Sequence, residues 1–440
     1  MKNKIIILIA YFIFIYSLKY LIIENYAVNV PFGDQWDSEA FYLYKPYIEN
    51  NLHFYDFFSQ HNEHRIFCTR VLNLLIYILN NNKWDTILTM KVQALILCLI
   101  PTFLLFHYLK YNKNYSYFTI IFFIIIFTLP IGYENLLWGF QSQFYFMIFF
   151  SIISFYLATS PVISLKKIIF ILVLCLLSYL NIASGFITSI IVSFIFYFRF
   201  IKTRKNNFLI YSILLFIEGS LFFIFIIPVQ AHLFLKSQNF SDFIDSLDLI
   251  LQWPFKEFRI MFILLWIPLV GFLFNHIVNY KKIKIYNIFY ISILIWIIIQ
   301  LFGISYARGG NILTLIQNRY TDIFLLSEVS MFLYIESTLN FNNSYKINFY
   351  NLYKLIFIII FCHYSFVNFY YFKKDFNKKQ SMLTEINHLY KTKSINQMEA
   401  LIMLNKSTLY KYPYPFKDRL WMFINDKTIN KILPNSIITK

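Results

Sequence analysis

The sequence predicts an all-α, polytopic membrane protein. Three observations carry that expectation. Hydrophobic residues make up 59% of the chain, mean hydropathy is +0.57, and apolar runs recur with Lys or Arg at their ends. A bilayer core about 30 Å thick needs roughly 20 apolar residues per helical crossing, and most of the runs approach that length. The heavy use of Phe, Tyr, Ile, Asn and Lys fits an A/T-rich coding bias, so a single aromatic residue carries little functional information.

The formal net charge is +17. Basic residues at the ends of apolar runs account for it, because they fix topology against anionic lipid. No basic stripe lies on a soluble domain, so no nucleic-acid partner is expected. Cys68, Cys98, Cys175 and Cys362 form no CxxC, and three of them lie in apolar runs. Neither a disulfide framework nor a zinc site is expected.

Eleven spans are expected, at 5–23, 87–108, 116–131, 142–159, 167–181, 185–200, 208–228, 260–278, 285–304, 320–338 and 352–371. The first follows Lys2 and Lys4, is too long for a signal peptide and precedes no small-x-small cleavage site, so it reads as uncleaved. Segment 66–80 is short and carries Arg70 and Asn73, and reads as an amphipathic interfacial helix. Segment 167–200 has Lys166 and Lys167 at one end and Arg199, Lys202, Arg204 and Lys205 at the other. Positive charge at both ends places both in the cytoplasm, so the chain turns near residues 181–185. With a cytoplasmic N-terminus, Lys110, Lys113, Lys281, Lys282, Lys284 and Lys346 also fall inside. A crossing at 66–80 would invert every later loop and break this pattern. Residues 1–371 thus form a transmembrane domain, and 372–440 a small extracytoplasmic segment. Loops 24–86, 229–259 and 305–319 face the same side as that segment, with an interfacial helix near 240–251.

The first loop holds the densest polar chemistry. Asp34, Asp37 and Glu39 follow the turn Pro31-Phe32-Gly33, with Trp36 as an interfacial anchor. Loop carboxylates are commonly solvated surface. One held near the headgroups can instead take a proton from an acceptor hydroxyl, which makes Asp34 and Asp37 the candidate catalytic residues and Glu39 a substrate contact. His61-Asn62-Glu63-His64-Arg65 has a spacing open to a divalent metal, but no further ligand cluster follows it and no metal is assigned. A phosphate clamp by His64 and Arg65 with His61 beside it stands against plain helix capping and anchoring. Glu134 and Gln141 flank Trp138 between two spans, a composition suited to sugar hydroxyls or to a simple re-entrant turn. Arg308 and Arg319 could hold a lipid phosphate bidentately or snorkel to headgroups. Glu218 and Glu328 lie inside expected spans, where acids are functional or paired within the bundle.

This order of features resembles the GT-C superfamily of polyprenol-phosphate-dependent membrane glycosyltransferases. Asp34-Gln35-Trp36-Asp37 stands where that family carries its acidic motif, and 61–65 where relatives carry His-Pro-Pro ahead of an interfacial helix. Glu134 stands where relatives place a second acid. The Arg308 and Arg319 segments look similar to late loops of bacterial membrane glycosyltransferases. The resemblance covers most of 1–340 as an order of features. The D-x-x-D spacing and the His-Asn-Glu-His-Arg segment depart from the commoner patterns. The resemblance implies a GT-C-like fold in a bacterial inner membrane. It implies transfer of a sugar from a polyprenyl-phosphate donor to an extracytoplasmic acceptor glycan such as O-antigen, with inversion and an Asp base. Two other readings stand beside it, an O-antigen polymerase and a non-enzymatic flippase of lipid-linked glycans. A polymerase more often has its large loop late in the chain, and a transporter favours paired half-repeats, which this chain lacks.

The topology predicts that a reporter fused after residue 440 is active only when that reporter works outside the cytoplasm. Activity of a cytoplasm-dependent reporter at the same position would overturn the span count.

Overall fold

The computed structural model describes residues 2–112, 115–254, 266, 270, 274, 283–312, 318–338, 344–392 and 412–438. It is helical throughout, and among the described residues the only β-type pairing is a single bridge between His61 and His64. The long helices are α1 (Lys2–Tyr26), α2 (Phe67–Leu79), α3 (Thr86–Tyr111), α4 (Tyr117–Thr128), α5 (Ser142–Ala158), α6 (Leu165–Tyr179) and α7 (Phe186–Thr203). They continue as α8 (Asn206–Ile224), α9 (Phe240–Leu251), α10 (Ile285–Ile312), α11 (Thr321–Thr338) and α12 (Ser344–Thr392). Two short helices, α13 (Lys417–Asn425) and α14 (Lys427–Ile432), lie near the end of the chain.

Among the described residues, six helices are long and apolar enough to cross a membrane: Asn3–Tyr26, Thr86–Tyr111, Ala183–Thr203, Asn206–Ile224, Ile285–Gly310 and Lys354–Lys391. The chain is therefore a multi-pass α-helical membrane protein. Helices α4, α5, α6 and α11 pack in the same core, with Phe123, Tyr145, Phe155, Cys175 and Phe332 fully buried among them. The expected span at 260–278 falls almost wholly outside the described residues.

Lipid tails are as apolar as Leu, so close packing and interhelical hydrogen bonds hold such a bundle together. Hydroxyls supply the latter here. Thr188 on α7 meets Ser151 of α5 at 2.6 Å and Ser178 of α6 at 3.1 Å, and the Trp296 indole of α10 donates to Thr188 at 3.2 Å. Ser193 and Ser212 join α7 to α8 in the same way. Lys4 donates to the Leu109 carbonyl, Arg199 to Ala158 and Ser160, and Lys202 to Ile283, so cations bind backbone carbonyls at one end of the bundle. The loops of the candidate site lie at the other end.

The turn expected near 181–185 is present: α6 ends at Tyr179, a short 3-10 turn spans Ala183–Gly185, and α7 begins at Phe186. Segment 66–80 forms α2. Its polar side, Thr69, Arg70 and Asn73, faces the protein, while Leu75, Ile78 and Leu79 are exposed. That is the reverse of a soluble amphipathic helix and suits one lying against lipid.

Two expected boundaries are corrected. Residues 305–312 belong to α10, not to a loop. The Gly309-Gly310 pair lies in this stretch, and the carbonyls of Phe234 and Lys236 pack so close to Gly310 that a Cβ there would sit about 3 Å from both. The pair is a notch for a crossing chain segment. Likewise, the helix expected over 352–371 starts at Ser344 and runs unbroken to Thr392. Its 49 residues span roughly 70 Å at 1.5 Å per residue, far more than a bilayer core.

The projecting part of α12 joins the first loop in one apolar core. Val28, Trp36, Leu43, Tyr44 and Trp84 from the loop pack with Ile386, Leu389, Leu420, Phe423, Ile424 and Ile437 from the C-terminal segment. Trp36 is fully buried, lies parallel to Phe423 at 6.3 Å, and donates its indole N–H to the Pro31 carbonyl at 2.9 Å.

At Gly185 an added Cβ would overlap the Ser178 backbone, which cannot yield without moving α6. Gly185→Ala is expected to destabilise the protein by about 1–3 kcal/mol through overpacking, read as a lower Tm in detergent.

Candidate functional site

The site is built on the first loop. Gly33, at φ +54°, turns the chain against Trp138 in a conformation that only glycine adopts freely. Gln35–Tyr44 then winds as a π-helix, a rare form that is frequent at functional sites. Asp34 sits at its N-terminus with a side chain 41% exposed, open to an incoming molecule.

The second segment of the site, residues 56–65, has little regular structure beyond the end of a 3-10 turn at Phe54–Phe58. Arg70 organises it. Its guanidinium donates to the carbonyls of Asp56 (3.1 Å), Phe57 (3.3 Å), Ser59 (2.6 Å) and Arg65 (3.1 Å). His61 and His64 exchange backbone hydrogen bonds of 2.8 and 2.9 Å around a tight turn, with Asn62 at φ +51°. Ile66 also has φ +51°, a rare state for a β-branched residue that costs about 1–3 kcal/mol. Burial of Ile66 against Trp138 and Phe140 offsets it.

Asp34 and His61 face each other, Oδ2 to Nε2 at 3.7 Å. Burial pushes the Asp34 carboxyl up, but His61 first, then the charges of Arg319 and His232, bring it below its usual range. Glu63 accepts a hydrogen bond from His232 Nδ1 at 2.7 Å and pairs with Arg308 at 3.6 Å. Its carboxyl, raised by burial, is pulled below the usual range mainly by His232 and Arg308. Asp34, His61, Glu63, Arg308 and Arg319 thus form one constellation, to which the structure adds His232. The sequence signal for His232 was available, since it is the one histidine of loop 229–259.

Arg319 is held through its backbone. Its N–H donates to Glu134 Oε2 at 3.2 Å, and its carbonyl accepts from Asn135 Nδ2 at 2.7 Å. The same Asn135 amide donates to Asp322 at 2.9 Å. The buried Arg319 Nε has no hydrogen-bond partner among the described residues. Glu134 is therefore a clamp on the Arg319 turn. Arg65 is half-buried, and no partner of its guanidinium lies among the described residues.

Five of the residues named from the sequence are engaged within the protein. Glu39 is not at the surface but inside the loop core, accepting from Gln35 (3.1 Å), Asn73 (2.9 Å) and Trp84 (3.1 Å). The π-helix turns it toward α2, where it ties three elements. Gln141 is also buried, its Oε1 accepting from Gln143 at 3.4 Å. His64 is no cationic clamp: burial lowers its pKa to about 4, and its Nδ1 accepts from the Ala183 N–H at 3.3 Å. It can offer a neutral N–H instead. Asp37 is engaged from the C-terminal segment, by the Tyr414 hydroxyl and by Arg419 at 3.1 Å. Trp138, too, is committed inward, its indole donating to the Phe32 carbonyl at 2.9 Å. No group of three or more His, Cys, Asp or Glu side chains placed to hold a metal ion occurs among the described residues.

Comparison with family models, with curated proteins and with solved structures finds no match for this chain.

Burial pushes the Glu39 carboxyl up to about 8 against the pull of Gln35 and Trp84. A raised carboxyl stabilises the fold most below its unfolded value, and that contribution is lost as pH rises through the folded one. The wild type is therefore expected to lose stability between pH 5 and pH 8, by at most about 1.4 kcal/mol per unit from this group. Glu39→Ala removes that slope and also leaves three buried donors unpaired, a loss of about 2–5 kcal/mol. Melting curves of both proteins across this pH range check the slope and the loss.

Proposed function

We propose that this chain is an integral-membrane glycosyltransferase that moves a sugar from a polyprenyl-phosphate donor to an extracytoplasmic acceptor glycan such as O-antigen. The observation that carries the reading is the pairing of one accessible, ionised carboxylate with fixed cations at one end of a membrane bundle. Asp34 is the base, and Arg319 and Arg308 are the cations. In this reading the bundle crosses a bacterial inner membrane eleven times, with a cytoplasmic N-terminus and the site on the far face.

The chemistry follows from charge. Asp34 takes the proton of an acceptor hydroxyl as that oxygen bonds to the anomeric carbon. The bond from that carbon to the phosphate oxygen breaks on the opposite face, which inverts the anomeric centre. The leaving lipid phosphate gains negative charge, and preorganised guanidinium groups stabilise it as the charge develops. His61 beside Asp34 holds the carboxylate ionised. Arg319 is carried on a turn that Glu134 and Asn135 hold through its backbone. The exposed apolar side chains Leu233, Phe234 and Phe240 lie in the sequence just after His232, where an isoprenoid chain would lie against the bilayer.

The experiment is complementation of a deletion strain with wild type or Asp34→Asn, with the surface glycan read by mass spectrometry. Loss of one sugar that wild type restores and Asp34→Asn does not, with transfer reduced about 100-fold or more, is the expected outcome. Intact glycan with Asp34→Asn at normal protein levels would remove the base. Loss of chain length in place of one substituent would favour a polymerase.

A further inference from the structure

The C-terminal segment reaches the candidate site from the far end of the sequence. The Gly33 N–H donates to the Pro413 carbonyl at 2.8 Å, so the turn that presents Asp34 is pinned by Tyr412-Pro413-Tyr414-Pro415. Tyr414 donates its hydroxyl to Asp37 Oδ2, and Arg419 Nη2 lies 3.1 Å from Asp37 Oδ1. Both oxygens of Asp37 therefore face the C-terminal segment. Tyr414 and Arg419 are themselves held by Phe423, the Tyr414 ring at 5.6 Å and the guanidinium at 6.0 Å, and Phe423 in turn lies parallel to the buried Trp36.

We infer that Tyr414 and Arg419 are positioning residues of the candidate site, and that Asp37 is their anchor and not the base. The inference rests on the transferase reading, in which Asp34 takes the proton. Its physical ground is access and geometry. A carboxylate that already accepts from a phenol and faces a guanidinium must lose both to receive an acceptor's proton, whereas Asp34 is open. Asp37 lies three residues after Asp34, on the first turn of the π-helix. Fixing Asp37 therefore fixes the rotation of that turn and the direction in which the Asp34 carboxylate points. A displacement near 1 Å at such a group costs about 100-fold in rate.

The test uses the full chain in the same deletion strain, with Asp34→Asn as control. The variants are Asp37→Arg, Arg419→Asp, the double swap carrying both, and Tyr414→Phe. The readouts are the fraction of surface glycan carrying the added sugar and the Tm of each purified protein. Each single charge variant is expected to lower the modified fraction about 100-fold, and the double swap, which restores the ion pair but not the acceptor for the Tyr414 hydroxyl, to recover it to about tenfold below wild type. Tyr414→Phe keeps the ring packing and loses only the hydroxyl. It is expected to lower modification about tenfold, the scale of one charge-assisted hydrogen bond, with Tm unchanged. A purely structural role would move Tm with activity and would not give that split. A double swap as inactive as Asp37→Arg, at wild-type protein level and Tm, would make Asp37 a participant in the chemistry and overturn the inference. If the swap does not accumulate, Tyr414→Phe decides, and wild-type modification by it overturns the inference equally. Normal modification by Asp34→Asn would sink the transferase reading and the inference with it. Loss with Asp34→Asn but no effect of the other variants would sink the inference alone.

Discussion

Trp36 is the residue on which the extramembrane half depends. A loop of about sixty residues between two spans buries too little surface to hold a unique shape alone. This loop solves the problem by sharing a core with the other end of the chain. Trp36 lies at the seam, in contact with Trp84 from its own loop and Phe423 from the C-terminal segment. Helix α12 makes the union possible, since its unbroken length carries the chain well beyond a bilayer's thickness. Lys379 on that helix donates to the Leu137 carbonyl at 3.0 Å and lies over Phe32, adding a polar tie beside the site turn. The site is thus assembled from both ends of the sequence, with the bundle as its floor.

Within that frame one acidic motif is divided into three environments. Asp34 stays accessible and ionised beside His61, Asp37 is tied to the C-terminal segment, and Glu39 is sealed in the core with its carboxyl near 8. Six residues of sequence place three carboxylates in different environments because the π-helix and its N-terminus turn each in a different direction. Separating the proton affinities of neighbouring carboxyls by environment is how a site assigns charge without changing residue type. The cations are separated likewise: His64 is neutral by burial, while Arg308 and Arg319 are fixed through Glu63 and Glu134.

The opposite end of the bundle follows a simpler logic. Lys4, Arg199 and Lys202 bind backbone carbonyls there, and Glu336 meets Lys354, Thr119 and Tyr108 in one buried network. Each polar group in that network finds a partner, as a low-dielectric interior demands. The two ends therefore differ, one tied by cations on backbone carbonyls and a buried acid–lysine pair and the other presenting a partly exposed acid.

The sequence by itself determined the helical membrane class, the turn at 181–185 and a separate short helix at 66–80. Those features rest on local quantities, namely apolar run length, charge at run ends and turn chemistry, and such quantities are written in adjacent residues. Tertiary structure alone decided which polar residues face one another. His61 and Asp34 are 27 positions apart, Glu63 and His232 are 169 apart, and Asp37 and Tyr414 are 377 apart. No local pattern encodes such separations. For the same reason Glu39 and Gln141 read as surface contacts in sequence but are buried, and Gly309-Gly310 reads as a loop but is a packing notch in a helix. Burial is a property of the assembled core, and a residue's neighbours in sequence do not contain it.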